Sequence, residues 1–341
     1  MRWDKLLPLL LVILCAGSPS FAQDSANTPQ GPRVFVVHSY HSEYIWVRAI
    51  SQGIKESLHS LKPRIETFYL DAKHDLDPES LRAKAQGLLE RIAADKPQVV
   101  IAVDDPAQIY LVEPHLKGRA APQVIFCGVN APLAKYGFPA PNISGVRERW
   151  HFREGFSLMR EITPKARRVL FLTDESESSS YVLADLKEDR RLGGPFTLPK
   201  VGTAQVGTFQ QWQRKVLASQ TQADILAMGV YLSLRDEQTG KVVPADSVNA
   251  WTQKANKLPT LGFADYVLGH GQLTGVIESG HEQGEVAGGM ARQVLERGVA
   301  AGSLPVRVNQ KGVVVVNLKT AERLGIIIPF AIIQAAGVVV Q

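Results

Sequence analysis

Residues 33–38, with the sequence RVFVVH, form a short apolar run rich in β-branched residues, which predicts a buried strand. The residues that follow place apolar or small side chains on one helix face, at Ala49, Ile50, Gly53, Ile54, Leu58 and Leu61. Further strands are predicted to start near residues 65, 98 and 123, with helices between them. This spacing is typical of parallel β-α-β units, and the nearly continuous apolar strands fit a sheet covered on both faces. The first part of the chain therefore predicts a doubly wound lobe.

The same alternation starts again after a proline-marked stretch at residues 139–142. Strands are predicted at residues 168–173, 200–206, 224–228, 260–264 and 273–277, with helices between them. Four consecutive valines at residues 313–316 predict another buried strand, and residues 318–339 predict two short helices broken by Pro329. The expected fold class is α/β, with two doubly wound parallel-sheet lobes and a ligand cleft between them.

Composition excludes several classes of protein. The chain has 341 residues, of which 45% are hydrophobic and 21% charged, so it is long and apolar enough for two globular lobes. The formal net charge is +5 and no Lys/Arg-rich run is present, so no nucleic-acid partner is expected. Two cysteines cannot build a disulfide framework, and no Cys/His cluster has zinc spacing. We expect no metal and no cofactor, and, without heptads or a large apolar stripe, a monomer.

The first 22 residues predict a secretory signal peptide. Arg2 and Lys5 flank the start of an almost pure apolar run at residues 6–16, and Ser20-Phe21-Ala22 supplies small residues for a cleavage site. The run is too short to span a bilayer as a helix. The protein is therefore expected to be exported.

Two further predictions concern the segment after the signal peptide and the two cysteines. Residues 23–32 are polar and without periodicity, which predicts a linker. Lipid anchoring at Cys15 is not expected, because Leu14 stands where a lipoprotein needs a small residue. Cys127 follows three apolar residues of a predicted strand, which favours an inert core thiol.

Ligands of parallel α/β sheets bind at the carboxyl ends of the strands, near the point where the strand order reverses. Several of the chain's aromatic residues, only 7% of the total, fall in these loops and would suit the walls of a site for a flat or apolar ligand. The candidate ligand-binding residues are Ser39, Tyr40, Trp46, Asp104, Asn130, Tyr181, Tyr231 and Asp265. The same loops carry His41, Asp105, Asp174, Ser178, Gly229 and Tyr266.

Some of these residues have structural alternatives. Asp104 and Asp105 precede a proline, so they fit a helix N-cap as well as acid/base chemistry, and capping is compatible with ligand contact. His38 and His41 could hold a metal with Asp104, but His38 ends a strand and His41 follows a turn, so we expect a capped or solvent-facing pair. Trp46 fits a place in the core better than a ligand contact.

Enzymatic signatures are mostly absent from the sequence. It has no G-x-S-x-G, G-x-x-x-x-G-K-[ST] or H-E-x-x-H motif, and no G-x-G-x-x-G follows the first strand. Binding without catalysis is therefore expected. An exported hydrolase that uses Asp104, Asp105 or His41 is the less favoured alternative.

Six segments follow one another along the chain: VFVVHSYHSEYIWVRAISQGI (34–54), AVDDPA (102–107), PQVIFCGVN (122–130), NISGV (142–146), LMREITPKARRVLFLTD (158–174) and VNLKTAERLGIIIP (316–329). In this order they resemble the ABC-transporter substrate-binding family, which includes tryptophan/tyrosine-type proteins and uncharacterised relatives. The resemblance covers nearly the whole mature chain.

The resemblance implies a type I periplasmic binding protein fold and a periplasmic location. The protein would close two lobes around a small solute by hinge motion and deliver it to an inner-membrane ABC permease. Three crossings between the lobes would place residues 33–146 and 274–308 in lobe 1, residues 147–273 in lobe 2, and residues 309–341 in a tail that packs on the lobes. The alternative is a ligand-sensing protein that acts on a membrane receptor such as a histidine kinase.

An amino-acid ligand would use the candidate residues in distinct roles. Ser39, Asn130 and amides at helix starts would take its carboxylate, and Asp104 or Asp265 would pair with its ammonium. The flanking aromatic residues would be Tyr40, Trp46, Tyr181 and Tyr231.

Overall fold

Two β-sheets, each with helices packed on both faces, organise the protein. The computed structural model describes residues 31–341, which form one compact unit. The predicted signal peptide, with Cys15, and most of the predicted linker lie outside the described residues. Within residues 31–341, no helix combines the length and apolar character needed to cross a membrane.

The first sheet contains six strands, and all of its pairs are parallel. They are β1 (Arg33–His38), β2 (Arg64–Tyr69), β3 (Val99–Val103), β4 (Gln123–Val129), β5 (Ile143–Arg147) and β11 (Arg307–Val308). Their order is β11-β5-β4-β3-β1-β2. The strand order reverses beside β1, which brings the carboxyl ends of β1 and β3 to the switch point.

The second sheet contains seven strands and is mostly parallel. They are β6 (Arg168–Asp174), β7 (Lys200–Val206), β8 (Ile225–Met228), β9 (Thr260–Gly262), β10 (Thr274–Glu278), β12 (Gly312–Asn317) and β13 (Val338–Val340). Their order is β13-β12-β10-β9-β8-β6-β7, and only the β10–β12 pair is antiparallel. The predicted α/β fold with two parallel-dominated sheets is confirmed.

Helices connect most of the strands. They are α1 (Ile45–Leu58), α2 (Pro78–Asp95), α3 (Asp104–Ala107), α4 (Phe152–Ile162), α5 (Glu177–Gly193), α6 (Phe209–Gln222), α7 (Ala245–Ala255), α8 (Val267–His270), α9 (Gly280–Arg297), α10 (Leu318–Leu324) and α11 (Phe330–Ala335). A π-helical segment, Gln108–Leu116, continues α3. Helix α2 begins at Pro78, and the carboxylate of the preceding Asp77 accepts the amides of Glu79 and Ser80.

The first sheet is buried on both faces. All five residues of β3 are buried, because α2 and the π-helical segment cover one face and α1 and α9 cover the other. Helices α1 and α9 pack closely through glycine: a Cβ at Gly284 would lie 2.0 Å from the carbonyl oxygen of Ile50. Cys127 is fully buried in β4, as predicted, and burial raises the pKa of its thiol.

The chain changes sheets after β5, after β10 and after β11, which corrects the predicted lobe boundary. Residues 274–278 were expected in lobe 1, but they form β10, which pairs with β9 and β12 inside the second sheet. The switch back to the first sheet therefore comes at Ser279, just before α9. The tail also has a definite place, because β12 and β13 extend the second sheet.

Candidate functional site

Two adjoining cavities lie between the sheets, where the strands end. The larger has a volume of about 330 Å³ and the smaller about 120 Å³. They share Tyr40, Asn130, Glu148 and Ala264. The larger cavity is also lined by Asp105, Arg149, Trp150, Phe152, Ser178, Tyr181, Val182, Asp185, Val230, Leu232 and Tyr266. The smaller is also lined by Tyr44, Trp46, Lys73, Asp104, Asp265 and Glu278.

The structure brings six of the eight candidate ligand-binding residues to these cavities. Tyr40 and Asn130 line both of them, and Tyr181 lines the larger. The smaller cavity gathers Trp46, Asp104 and Asp265. Residues from both sheets therefore meet at one site, as the rule for strand ends predicts.

Ser39 does not reach either cavity, contrary to expectation. Its side chain is fully buried and its hydroxyl donates to the carbonyl of Val103 and accepts the amide of Ala107. These bonds tie the end of β1 to the start of α3. The Ser39 hydroxyl is thus occupied within the protein and is not placed to bind a ligand carboxylate.

Tyr231 also lies away from the cavities, which corrects its predicted role as a wall. It is fully buried in a cluster with Trp212, whose ring centroid is 5.6 Å from that of Tyr231. Its hydroxyl forms a hydrogen bond with Nδ1 of His270. Its neighbour in space, Tyr266, lines the larger cavity instead.

Three carboxyl groups in the site are buried. The exposed fractions of Asp104, Glu148 and Glu278 are 4%, 9% and 8%. Oδ1 of Asp104 accepts the indole N–H of Trp46 at 2.9 Å, whereas Oδ2 of Asp104 and Oε1 of Glu278 are buried without a hydrogen-bond partner. Unpartnered buried carboxylate oxygens are unfavourable, so the cavity favours a ligand that donates hydrogen bonds to them.

Burial changes the protonation of all three groups. It raises the pKa of Asp104 to about 8, against a smaller opposing effect of the Trp46 hydrogen bond. The pKa of Glu148 is raised well above its usual value by burial and then by the negative charge of Glu278. The pKa of Glu278 is raised by burial first as well. A nearby positive charge would favour the ionised form of each group.

The backbone at Asp104 is unusual. Its φ is +64°, in the left-handed region that few non-glycine residues occupy. Oδ1 of Asp104 lies only 2.5 Å from the position that a Cβ would take at Gly128, so glycine leaves room for the carboxylate. This local geometry directs the side chain toward β4 and the smaller cavity.

Asp105 has a structural role. It was expected either to cap its own helix or to act in acid/base chemistry. Instead it accepts the amides of Asn130 and Ala131, at 3.1 and 3.3 Å, and the hydroxyl of Tyr136 at 2.7 Å. Asp105 therefore fixes the loop after β4, which carries Asn130 into the cavities.

Aromatic rings surround the buried carboxyl groups. Nζ of Lys73 lies 4.8 Å from the ring centroid of Tyr40 and 4.0 Å from that of Tyr44. The hydroxyl of Tyr44 donates to the carboxylate of Asp265. The ring of Trp150 stacks on Phe263 at 5.7 Å and lines the larger cavity. The site can therefore hold a cation against aromatic faces, as Lys73 shows.

Sequence reasoning missed Tyr44, Lys73, Glu148, Trp150 and Glu278. Glu278 directly follows a predicted strand, so the rule for strand ends could have identified it. Glu148 follows β5 at a crossing between sheets, a strand that was not predicted separately. Lys73 and Tyr44 lie several residues beyond their strands, and no local pattern indicates that they point into a cavity.

His38 and His41, expected to be a capped or solvent-facing pair, line neither cavity, and His38 is not solvent-facing. His38 is buried, and its Nε2 is 2.9 Å from the hydroxyl of Ser51. Burial lowers the pKa of His38 to about 4. His41 lies on the loop beyond β1, where its Nδ1 is 3.6 Å from Oδ1 of Asp71.

Comparison with known proteins agrees with this architecture. Residues 236–340 match the family model described as ABC transporter substrate binding protein. The predicted resemblance to this substrate-binding family is confirmed. No curated protein gives a significant match.

Solved structures of similar fold cover almost the whole described chain. An ABC domain in complex with L-Trp from Streptococcus pneumoniae is 20% identical over 91% of this chain and 100% of that chain, with a TM-score of 0.61. The ligand-free, open structure of a substrate binding protein with adhesive properties from Clostridium difficile is 17% identical over 91% and 99%, with a TM-score of 0.69. A conserved domain protein from Vibrio cholerae is 20% identical over 91% and 100%, with a TM-score of 0.60. These similarities confirm the type I periplasmic binding protein fold.

Proposed function

We propose that this protein is a periplasmic solute-binding protein that captures a small molecule between its two sheets and delivers it to an ABC permease. The observation that carries the proposal is the pair of adjoining cavities, lined at the strand ends by residues of both sheets. A ligand held by both lobes would favour the closed arrangement over an open one, which is how hinge closure couples to binding. The protein acts as a monomer and performs no chemistry.

The proposed solute carries a protonated amine next to an aromatic or flat apolar group. The amine would donate to Oδ2 of Asp104 and to the carboxylates of Glu148 and Glu278, which supplies the positive charge that these groups lack. Lys73 is the one lysine or arginine along the smaller cavity among the described residues. Arg149, in the larger cavity, is engaged by Glu188 at 2.8 Å and Asp185 at 3.3 Å.

The larger cavity would receive the apolar part of the solute. Tyr181, Tyr266 and Trp150 supply aromatic faces there, and Phe152 and Val182 add apolar surface. An aromatic amino acid or an aromatic amine has this combination of groups. The Streptococcus structure, solved with L-Trp, is an example of such a ligand on this fold.

The test compares amines with the same molecules after the charge has been removed. Purified protein is unfolded and refolded to remove any bound solute, then screened by thermal shift and calorimetry. The panel pairs L-tryptophan, L-tyrosine and tryptamine with their N-acetyl derivatives, and includes neutral sugars. A solute at a hundredfold excess over its Kd stabilises the folded protein by about 2.7 kcal/mol, which gives a shift of a few degrees.

The expected result is binding by at least one amine and loss of that binding on N-acetylation. Binding by neutral sugars alone would contradict the proposed ligand class while leaving solute binding intact. No binding by any solute in an extended panel of amino acids, purines, pyrimidines and organic acids would contradict the proposed function itself.

A further inference from the structure

A cluster of two histidines and an aspartate lies on the loops beyond β1 and β2, outside both cavities. It consists of His41, Asp71 and His74, and one ligand atom from each lies within 4.8 Å of the others. Nδ1 of His74 is 2.9 Å from Oδ1 of Asp71, and Nδ1 of His41 is 3.6 Å from the same oxygen. We propose that His41, Asp71 and His74 form a binding site for a divalent transition-metal ion of the Zn²⁺ class.

The spacing of the three atoms suits such an ion. Zn²⁺ binds histidine nitrogen and carboxylate oxygen at about 2.0–2.2 Å, so neighbouring ligand atoms of a tetrahedral site lie roughly 3.3 Å apart. The two measured separations lie on either side of that value. Imidazole nitrogens with one carboxylate are a usual donor set for zinc, and three protein ligands leave a fourth position open.

The donor atoms are short of partners. Nδ1 of His41 and Oδ1 of Asp71 are buried atoms with no hydrogen-bond partner, although the histidine nitrogens lie close to that oxygen. Nδ1 of His74 is close enough to Oδ1 of Asp71 for a hydrogen bond but is not aligned with it, whereas Nδ1 of His41 is too far from that oxygen. An ion bound between the three side chains would satisfy these unpartnered atoms.

The backbone holds the three residues in place before any ion binds. Asp71 adopts a φ of +60°, and its carbonyl accepts the amide of His74 at 3.1 Å, which closes a turn between these two ligands. The amide of Ala72 donates to the carbonyl of Ser39 at 2.8 Å, which fastens that turn to the loop that carries His41. The rings of His41 and His74 lie 4.2 Å apart at 23°. A preorganised site loses little conformational freedom when the ion binds.

The cluster residues are neighbours in sequence of two residues that line the smaller cavity. Tyr40 precedes His41, and Lys73 stands between Asp71 and His74. Bound metal would therefore hold the two loops that present Tyr40 and Lys73 to the smaller cavity. The proposal stands on the cluster alone and does not depend on the identity of the solute.

Calorimetric titration of chelator-treated protein with ZnCl₂ tests the site. The variants are His41→Ala, His74→Ala and Asp71→Asn, and asparagine is chosen at position 71 because it tolerates positive φ. His59→Ala is the control, since His59 is an exposed histidine outside the cluster. Amide hydrogen exchange with and without Zn²⁺ then locates the bound ion, and circular dichroism verifies that each variant is folded.

The expected result is one Zn²⁺ per protein, with affinity reduced at least about tenfold in each of the three cluster variants and unchanged in His59→Ala. Zn²⁺ should slow exchange in residues 39–41 and 71–75. Absence of Zn²⁺ binding to the wild-type protein would overturn the proposal. So would equal affinity in the cluster variants and the control, or protection confined to other loops. If one cluster variant fails to fold, the remaining variants and the exchange pattern decide.

Discussion

Two aspartates at strand ends, one in each sheet, show how the same local sequence signal leads to opposite roles. Asp174 ends β6 and is fully buried, and Asp104 directly follows β3 and is also buried. Asp174 accepts hydrogen bonds from Ser176, Ser179 and Ser233. Asp104 accepts one from Trp46 and leaves Oδ2 unpartnered. Asp174 is therefore held by hydrogen bonds at the end of its strand, whereas Asp104 has an oxygen available at the smaller cavity.

Their pKa values reflect this difference. Burial acts to raise the pKa of Asp174, but its hydrogen bonds outweigh burial and hold the pKa below the usual value. Burial raises the pKa of Asp104 to about 8. A satisfied carboxylate thus contributes to folding, whereas an unsatisfied one is available to a ligand.

The largest effect on stability is expected when Asp174 is replaced by asparagine, with the same replacement at Asp104 as the comparison. Each carboxylate oxygen of Asp174 accepts a backbone amide, from Ser176 and from Ser233, so an asparagine must turn its NH₂ group toward one of these donors. We expect Asp174→Asn to lower the free energy of unfolding by about 3 kcal/mol. Asp104→Asn should lower it by less than about 1 kcal/mol or raise it. Urea denaturation measures the free energy of unfolding of both variants. Equal losses would contradict the difference in role between Asp174 and Asp104.

The second-largest effect is expected in the pH dependence of stability, to which Asp104 and Asp174 should contribute in opposite directions. The folded pKa of Asp104 is above its unfolded value, so its contribution to stability is complete below about pH 4 and is lost as the pH rises toward 8. Asp174 has a lowered folded pKa, so its contribution is present above about pH 4 and is lost in acid. Urea midpoints from pH 4 to 8 should therefore fall less steeply in Asp104→Asn than in wild type. The same slope in both proteins would contradict the raised pKa.

Binding of a cationic solute should distinguish cavity residues from core residues. We expect Asp104→Asn to weaken binding about 10- to 100-fold, because a hydrogen bond between charged groups is lost. Tyr231→Phe is the matched control, since this side chain lies in the core of the second sheet and should leave Kd unchanged. Calorimetry measures both variants. A weakened Tyr231→Phe beside an unaffected Asp104→Asn would reverse our assignment of these residues.

The smallest effect is expected for Lys73. Its ammonium lies over the rings of Tyr40 and Tyr44 and competes with a positively charged solute. Lys73→Met removes that charge and should strengthen binding of the amine by roughly two- to fivefold, the range of a cation–π contact. Its effect on the N-acetylated analogue should be smaller. Weaker binding of the amine by Lys73→Met would indicate that Lys73 contacts an anionic group of the solute.

The alternation of strands and helices could be predicted from sequence because each strand is a continuous apolar run between helical patterns. The predicted strand at residues 273–277 corresponds closely to β10. Its sheet could not be assigned from that pattern, since strand partners depend on contacts with the distant β9 and β12. The lobe boundary was therefore placed on the wrong side of β10.

The candidate site could be predicted only as far as the strand ends. Tyr40 reaches the cavities whereas its neighbour Ser39 turns into the protein, and the choice depends on where α3 packs, not on either residue alone. Part of the contrast between Asp104 and Asp174 is local, because Ser176 and Ser179 follow Asp174 closely. The remaining donor, Ser233, is distant in sequence, and the position of Trp46 beside Asp104 is also a tertiary contact.

A crystal structure of the protein with its strongest amine ligand tests the central claim most directly. We predict that the ligand ammonium lies within hydrogen-bond distance of Oδ2 of Asp104, with the aromatic part of the ligand between Tyr181 and Trp150. A ligand that turns a neutral or anionic group toward Asp104, or that binds outside the two cavities, would contradict this account.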